Sequence, residues 1–294
     1  MSKRASYVRI VICICFILTI LLLFVFTKFN KYTDVLTSSF FREDFSYPSV
    51  LVLTYENTDH AHVPNFIDNL KNYNYEVRRL GFKELWRGFG TKIHAYQSFL
   101  RSATTLPDEQ IIVICDARDV VINQPAHVFA EKFHDFTKRF PGKIMISTEM
   151  GCCTPETDKS LKEKMVIRHR LWQNKLFQKR KNNTFKYLNS GLIAGKKSDL
   201  LRVYNKIQVQ LDEDDQSKFV QYFFNNKINE NDLFLDYEQL FFSNAHFWSG
   251  YPVGCFFTRD NKLEPWRNTV TNQIPSFIQT PAKYWDCYRM LQSE

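Results

Sequence analysis

The segment Ile111-Ile-Val-Ile-Cys-Asp116-Ala-Arg-Asp119-Val-Val-Ile122 constrains this chain more than any other. An apolar run rich in Ile and Val, too short for a helix, reads as a buried strand. Two carboxylates, Asp116 and Asp119, stand where it ends. Ligands of open α/β sheets collect outside the carboxyl ends of strands. A divalent cation bridging phosphates needs one or two carboxylates there, with substrate oxygens and water completing its shell. The same residues also fit a buried strand followed by an Asp-Arg surface turn.

The surrounding pattern extends the argument. Ser49–Thr54 and Tyr75–Leu80 read as strands, with helical patterns over Val63–Asn72, Thr91–Ser102 and Ala126–Phe140 and a further strand over Lys143–Ser147. Strands alternating with helices argue for a parallel-sheet α/β domain. The second half is more mixed: a strand over Tyr187–Ala194, then helices over Lys197–Val209 and Asp214–Phe224. A length of 294 residues, 44% of them hydrophobic, suits one well-packed large domain, and no repeat or second domain is visible.

The first thirty residues address location. Ile10–Thr27 is uncharged and strongly apolar, long enough to span a bilayer, and follows Lys3, Arg4 and Arg9. No small-residue cleavage site follows, so the segment reads as a signal anchor. The expected organisation is a cytosolic tail (1–9), a transmembrane anchor (10–27), a stem (28–47) and a globular domain (48–290). That makes a single-pass type II membrane protein facing the endoplasmic reticulum or Golgi lumen. Asn182-Asn-Thr184 is a glycosylation acceptor triplet in keeping with that side of the membrane. Outside the anchor lie Cys115, Cys152, Cys153, Cys255 and Cys287. An odd number suggests two disulfides and one buried thiol, with Cys115 on its strand the natural odd one. The net charge of +8 favours anionic partners. Nucleic acid is not among them for a lumenal chain.

Seven segments, in order, resemble the glycosyltransferase domain of the procollagen lysyl hydroxylase and glycosyltransferase family. They are Val50–Thr54; Tyr75–Gly81 with Trp86-Arg-Gly-Phe-Gly90-Thr-Lys92; the Asp116/Asp119 pair; Ser147–Pro155; Leu188-Asn189-Ser190-Gly191 to Gly195; Asp214-Asp215-Gln216; and Leu235–Phe241. Together they span roughly residues 48–250. The resemblance implies a GT-A-like, Rossmann-type mixed sheet flanked by helices that binds a nucleotide sugar. It implies a UDP-sugar donor and manganese, with Asp116 and Asp119 as metal carboxylates. Thr54, Trp86, Gly90, Lys92 and Asp116 would contact the donor, and Asn189, Asp214 and Asp215 would carry the chemistry around sugar and acceptor. The implied reaction is hexosyl transfer to a hydroxyl of a protein or glycan acceptor, such as hydroxylysine or galactosylhydroxylysine of a collagen-like protein.

Local chemistry supports these roles and offers plainer ones. Gly88 and Gly90 allow close approach of a phosphate or sugar, or form an ordinary turn. Lys92 can meet a phosphate oxygen; Trp86 offers a flat face to a base or sugar, or is a core or rim aromatic. Asn189-Ser190-Gly191 can hold sugar hydroxyls, or mark a bulge. Asp214 and Asp215 can take a proton from an acceptor hydroxyl, or stabilise a helix start. The basic Arg168-His-Arg170 and Lys179–Lys181 could meet an anionic acceptor, or lie in solvent. One departure stands out: the histidine that completes the family's metal site near the end of the domain has no counterpart between Asn268 and Lys283, and His246 reads as a core or rim residue. That departure motivates an alternative, a catalytically degenerate lumenal binding protein that keeps the fold.

Overall fold

The computed structural model describes residues 48–151, 158–175, 185–225, 231–245, 255–281 and 285–293. The expected anchor and stem, Cys152, Cys153, the glycosylation triplet and His246 lie outside these residues. Among the described residues no helix is long and apolar enough to cross a membrane.

Strand β1 (Val50–Tyr55) is buried along its whole length and sits between β2 (Glu76–Leu80) and β3 (Ile111–Cys115), parallel to both. Helices α1 (His62–Asn72) and α2 (Gly90–Ser102) supply the two crossovers. The chain leaves α1 through Asn74 at φ 61°, a left-handed position that asparagine tolerates. Leaving β3, the chain crosses Asp116–Asp119 and enters a second sheet as β4 (Val120–Ile122). The apolar run read as one feature is therefore two strands in two sheets, with the acidic pair at the hand-off.

Beyond α3 (Ala126–Arg139) come β5 (Ile144–Glu149), α4 (Lys159–Lys175), β6 (Tyr187–Lys196), α5 (Lys197–Lys206), α6 (Asp215–Asn225) and β7 (Leu233–Leu235). The main sheet has the order β2-β1-β3-β6-β5-β7. Strand β6 runs antiparallel to both its neighbours, β3 and β5. The sheet is thus mixed rather than parallel: α4 does not return the chain to the end from which β5 started. The β5–β6 pairing shifts register between Ile146 and Ser147, so residues 190–192 leave the ladder as a bulge. Strand β8 (Phe242–Asn244), the short pair β9 (Phe257–Thr258) and β10 (Arg267–Asn268), β11 (Phe277–Gln279) and helix α7 (Trp285–Gln292) complete the described elements. The second sheet has the order β4-β11-β8.

Strand alternation splits the core in two. Leu51, Leu53, Ile112 and Ile114 face one side with Ile93, Tyr96, Leu200 and Phe219. Val50, Val52 and Val113 face the other with Phe66, Leu70, Phe129 and Phe133. Each such side chain, fully buried, contributes roughly 1.5–3 kcal/mol of transfer free energy. Helix α5 stops at Lys206, short of the expected Val209. The helix ends at an extended Ile207, where Gln97 Nε2 donates to the carbonyls of Tyr204 and Ile207 at 2.7 and 3.0 Å and His94 reaches the Val209 carbonyl at 3.0 Å. Cys255 and Cys287 form a disulfide that ties the approach to β9 to α7, and Cys115 is a free buried thiol, as expected.

Candidate active site

The strands β2 and β3 flank β1 on opposite sides, so their crossovers part at its carboxyl end and leave a crevice there. Two cavities open at this edge. One, of about 600 Å³, is lined by Tyr55, Glu56, Trp86, Phe89 and Arg118 among others. The second, of about 730 Å³, is lined by Asn189, Gly191, Asp214, Asp215 and Gln279 among others. Phe89, Lys92 and Asp116 line both.

Lys92 rises from the first turn of α2 into this junction with 11% of its side chain exposed. Its Nζ lies 2.9 Å from Asp116 Oδ1 and 3.1 Å from Asp215 Oδ2. Burial alone would lower the Lys92 pKa, but the two carboxylates hold it well above the ordinary lysine value. The junction therefore contains a fixed cation. The Asp116 backbone N–H donates to the Gly191 carbonyl at 3.1 Å, which joins β3 to the bulge of β6. Asp116 Oδ2 accepts from Gln279 Nε2 at 3.3 Å.

Asp119 is buried beside it. Burial first, and then the Asp116 charge, push its pKa up to about 7 against opposing hydrogen bonding from Gln279 and the charge of Lys92. Its Oδ1 is buried without a hydrogen-bond partner. An unpartnered anionic oxygen next to a second carboxylate is the donor chemistry a hard divalent cation takes, so the residues present fit one. Asp116 and Asp119 would be its protein ligands; among the described residues no group of three His, Cys, Asp or Glu side chains could hold a metal.

On the far side, Asp215 is 10% exposed, and burial raises its pKa although Lys92 opposes the shift. Asp214 Oδ1 accepts the Ser217 N–H at 2.6 Å and so caps α6. Asn189 is locked into a buried network. Its Nδ2 donates to Glu149 Oε2 at 3.1 Å, while Oδ1 accepts from the Gly191 N–H at 2.9 Å and Ser147 Oγ at 3.2 Å. Gln216 Nε2 holds the other Glu149 oxygen at 3.0 Å. Asn189 lines the second cavity, but its amide shapes the bulge that frames it.

Several sequence expectations change here. Thr54 is fully buried and does not line either cavity; its neighbour Tyr55 does. Gly90 faces protein rather than ligand: a Cβ there would lie 1.9 Å from the Gln210 carbonyl oxygen. A Cβ on Gly88, at φ +131°, would lie 2.6 Å from Asp212 Cα. Both glycines press against the backbone of residues 210–212, and Gly88 also lines the second cavity. Gly191 likewise makes room for Gln279, whose Oε1 would lie 2.4 Å from a Cβ. Trp86 lines the first cavity, 40% exposed beside Tyr55 with ring centroids 5.9 Å apart.

Sequence reasoning passed over Glu56, Arg118, Phe89 and Gln279. Arg118 grips Glu56 through Nε at 2.5 Å and Nη2 at 2.7 Å across the rim of the first cavity. Gln279 donates to Asp116 Oδ2, reaching the acidic pair from β11 in the second sheet. Only the aromatic character of Phe89 inside a glycine-bearing loop was a usable signal.

A family model described as the PLOD GT domain matches residues 46–284. Among solved structures, the chain is similar to a glycosyltransferase involved in the glycosylation of the major capsid of PBCV-1. The two are 10% identical with a TM-score of 0.45, covering 83% of this chain and 100% of that one. It is also similar to mouse xyloside xylosyltransferase 1 in its apo form, at 12% identity and a TM-score of 0.41, covering 81% of this chain and 98% of that one. A search of curated proteins finds no match. The family match extends from just before β1 to the residues after β11, so the chain belongs to the PLOD family of glycosyltransferase domains.

Proposed function

We propose that the protein transfers a hexose from a UDP-sugar to a hydroxyl of a protein or glycan acceptor, facing the lumen from an N-terminal membrane anchor. The observation that carries this reading is the junction of two cavities at one buried cation and two carboxylates, Lys92, Asp116 and Asp215. The aromatic first cavity suits a nucleobase, and the polar second cavity suits sugar and acceptor. Lys92, kept protonated by its neighbours, faces the diphosphate and offsets its charge. Asp215, which lines the second cavity and whose pKa burial raises, takes up the proton of the acceptor hydroxyl. Asn189 and Gln216 hold Glu149 and thereby fix the wall against which the sugar lies. A divalent ion, manganese by the family resemblance, would be held by Asp116 and Asp119 and would supply Lewis-acid stabilisation of the leaving diphosphate. Hydroxylysine-type acceptors of collagen-like protein follow from the same resemblance.

The degenerate-binder reading keeps one observation in its favour. Lys92 and Gln279 already engage both oxygens of Asp116. UDP release by the purified chain across a panel of UDP-sugars, with manganese and with chelator, separates the two. Turnover of one sugar that chelator abolishes supports the transferase. UDP binding without turnover of any sugar, with acceptor peptides and glycans supplied, supports the binder.

A further inference from the structure

We propose that Phe89 is the platform on which the donor's sugar ring rests, and so the residue that discriminates among donor sugars; this rests on the donor reading above. The ring is 52% exposed, yet it is not a stray surface aromatic. It lines both cavities, together with Lys92 and Asp116. Lys92 Nζ sits 5.5 Å from its centroid, and Trp86 meets it edge-on at 5.4 Å.

Its placement is enforced by its neighbours. Gly88 and Gly90 both lie too close to residues 210–212 to carry a Cβ. Both flanks of Phe89 are thus pinned to that backbone, while its own side chain lines the cleft. A donor has a fixed order of parts. With the base against Tyr55 and Trp86 and the diphosphate at Lys92 and Asp116, the next group along is the sugar. It enters the second cavity past Phe89. A pyranose presents a face of C–H groups, and covering such a face with an aromatic ring removes apolar area from water from both partners. An axial hydroxyl interrupts that face, so the contact distinguishes epimers as well as adding affinity.

The test is titration calorimetry of the full chain with UDP, UDP-glucose and UDP-galactose, for wild type, Phe89→Ala, Phe89→Leu and Phe89→Trp. Phe89→Ala should weaken the preferred UDP-sugar roughly tenfold more than it weakens UDP, whose base cavity the ring also borders. It should also narrow the gap between the two sugars. Phe89→Leu, which keeps bulk without a ring, should behave like alanine, and Phe89→Trp should keep the preference. Because the ring is half exposed, the variants should melt like wild type, and leucine serves if alanine does not fold. Equal weakening of UDP and UDP-sugars, or no weakening of either, overturns the inference and leaves the donor reading standing. A wild-type chain that binds no UDP takes down both.

Discussion

Replacing Lys92 by methionine keeps most of the side chain's volume and removes only the charge. In the wild type that charge lies 2.9 Å from Asp116 and 3.1 Å from Asp215. At an effective permittivity near 20, each pair attracts by roughly 5–6 kcal/mol, most of which desolvation of the three groups offsets. The variant is asymmetric: the desolvation of two carboxylates persists while their partner is gone. Breaking a buried pair in this way costs about 3–5 kcal/mol. Asp116 is 32% exposed, so water relieves part of the penalty and the lower end applies, about 3 kcal/mol. For a domain of this size that is a fall in Tm of roughly 6–12 °C at neutral pH. The sign with pH follows from the shifts. The Lys92 pKa is raised, so its contribution is complete below the unfolded lysine value and is lost only in strong alkali. In the variant, Asp215 loses the group that opposed its upward shift and binds a proton more readily. The gap in Tm between wild type and variant should therefore narrow as pH falls from neutrality into the ordinary carboxylate range. Adding Asp215→Asn to the variant should recover part of the loss. Differential scanning calorimetry across that range checks all three. A neutral-pH gap under about 2 °C, or one that ignores pH, refutes the picture of a buried triad.

Gly90→Ala should destabilise by more than about 2 kcal/mol in urea melts, because its Cβ would meet a backbone oxygen at 1.9 Å and neither side can yield. Gly142→Ala, whose Cβ would make only an ordinary 3.8 Å contact with Asp199 Oδ1 but at φ +74°, should cost only about 1 kcal/mol; similar losses at both sites would show that 210–212 is not packed as described. Burial alone would raise the Glu56 pKa, but Arg118 and Thr58 hold it at about 2. The stability it lends is present above the ordinary glutamate range and disappears as pH falls through about 2. Arg118→Ala should therefore lower stability by about 1 kcal/mol at pH 7, the arginine being half exposed, with the difference vanishing in strong acid. Asp236 accepts the backbone N–H groups of Leu240, Phe241 and Phe242 at 3.0, 2.8 and 3.0 Å. Asp236→Ala leaves all three donors without that acceptor, those of Phe241 and Phe242 buried, and should cost roughly 3–5 kcal/mol, read from the urea midpoint; a loss under about 1 kcal/mol would rule out that role.

The elements that sequence reading located best are those whose signal is local. Strand β1 and strand β3 are dense in β-branched residues, and α3 repeats Phe129, Phe133 and Phe136 on one face. The direction of β6 was not local information, since it depends on where α4 delivers the chain. The site divides along the same line. Asp116, Asp119, Lys92 and Trp86 stand in segments with recognisable chemistry, and the fold brings them to one cleft edge. Gln279 comes from a short strand distant in sequence and joins the acidic pair only because β11 pairs with β4. Thr54 and Gly90 carried the right residue types but point into protein. A sequence records that a glycine permits close approach, and only the fold says to what.

That glycine contact has a consequence for recombination among transferases. The loop that walls the nucleotide end lies flush against residues 210–212, immediately before the acids that rim the acceptor end. Neither surface can be exchanged alone: a donor loop grafted from another transferase would arrive without its matching seat. Changes of donor and of acceptor in this scaffold should therefore travel as linked replacements of 81–92 with 207–216.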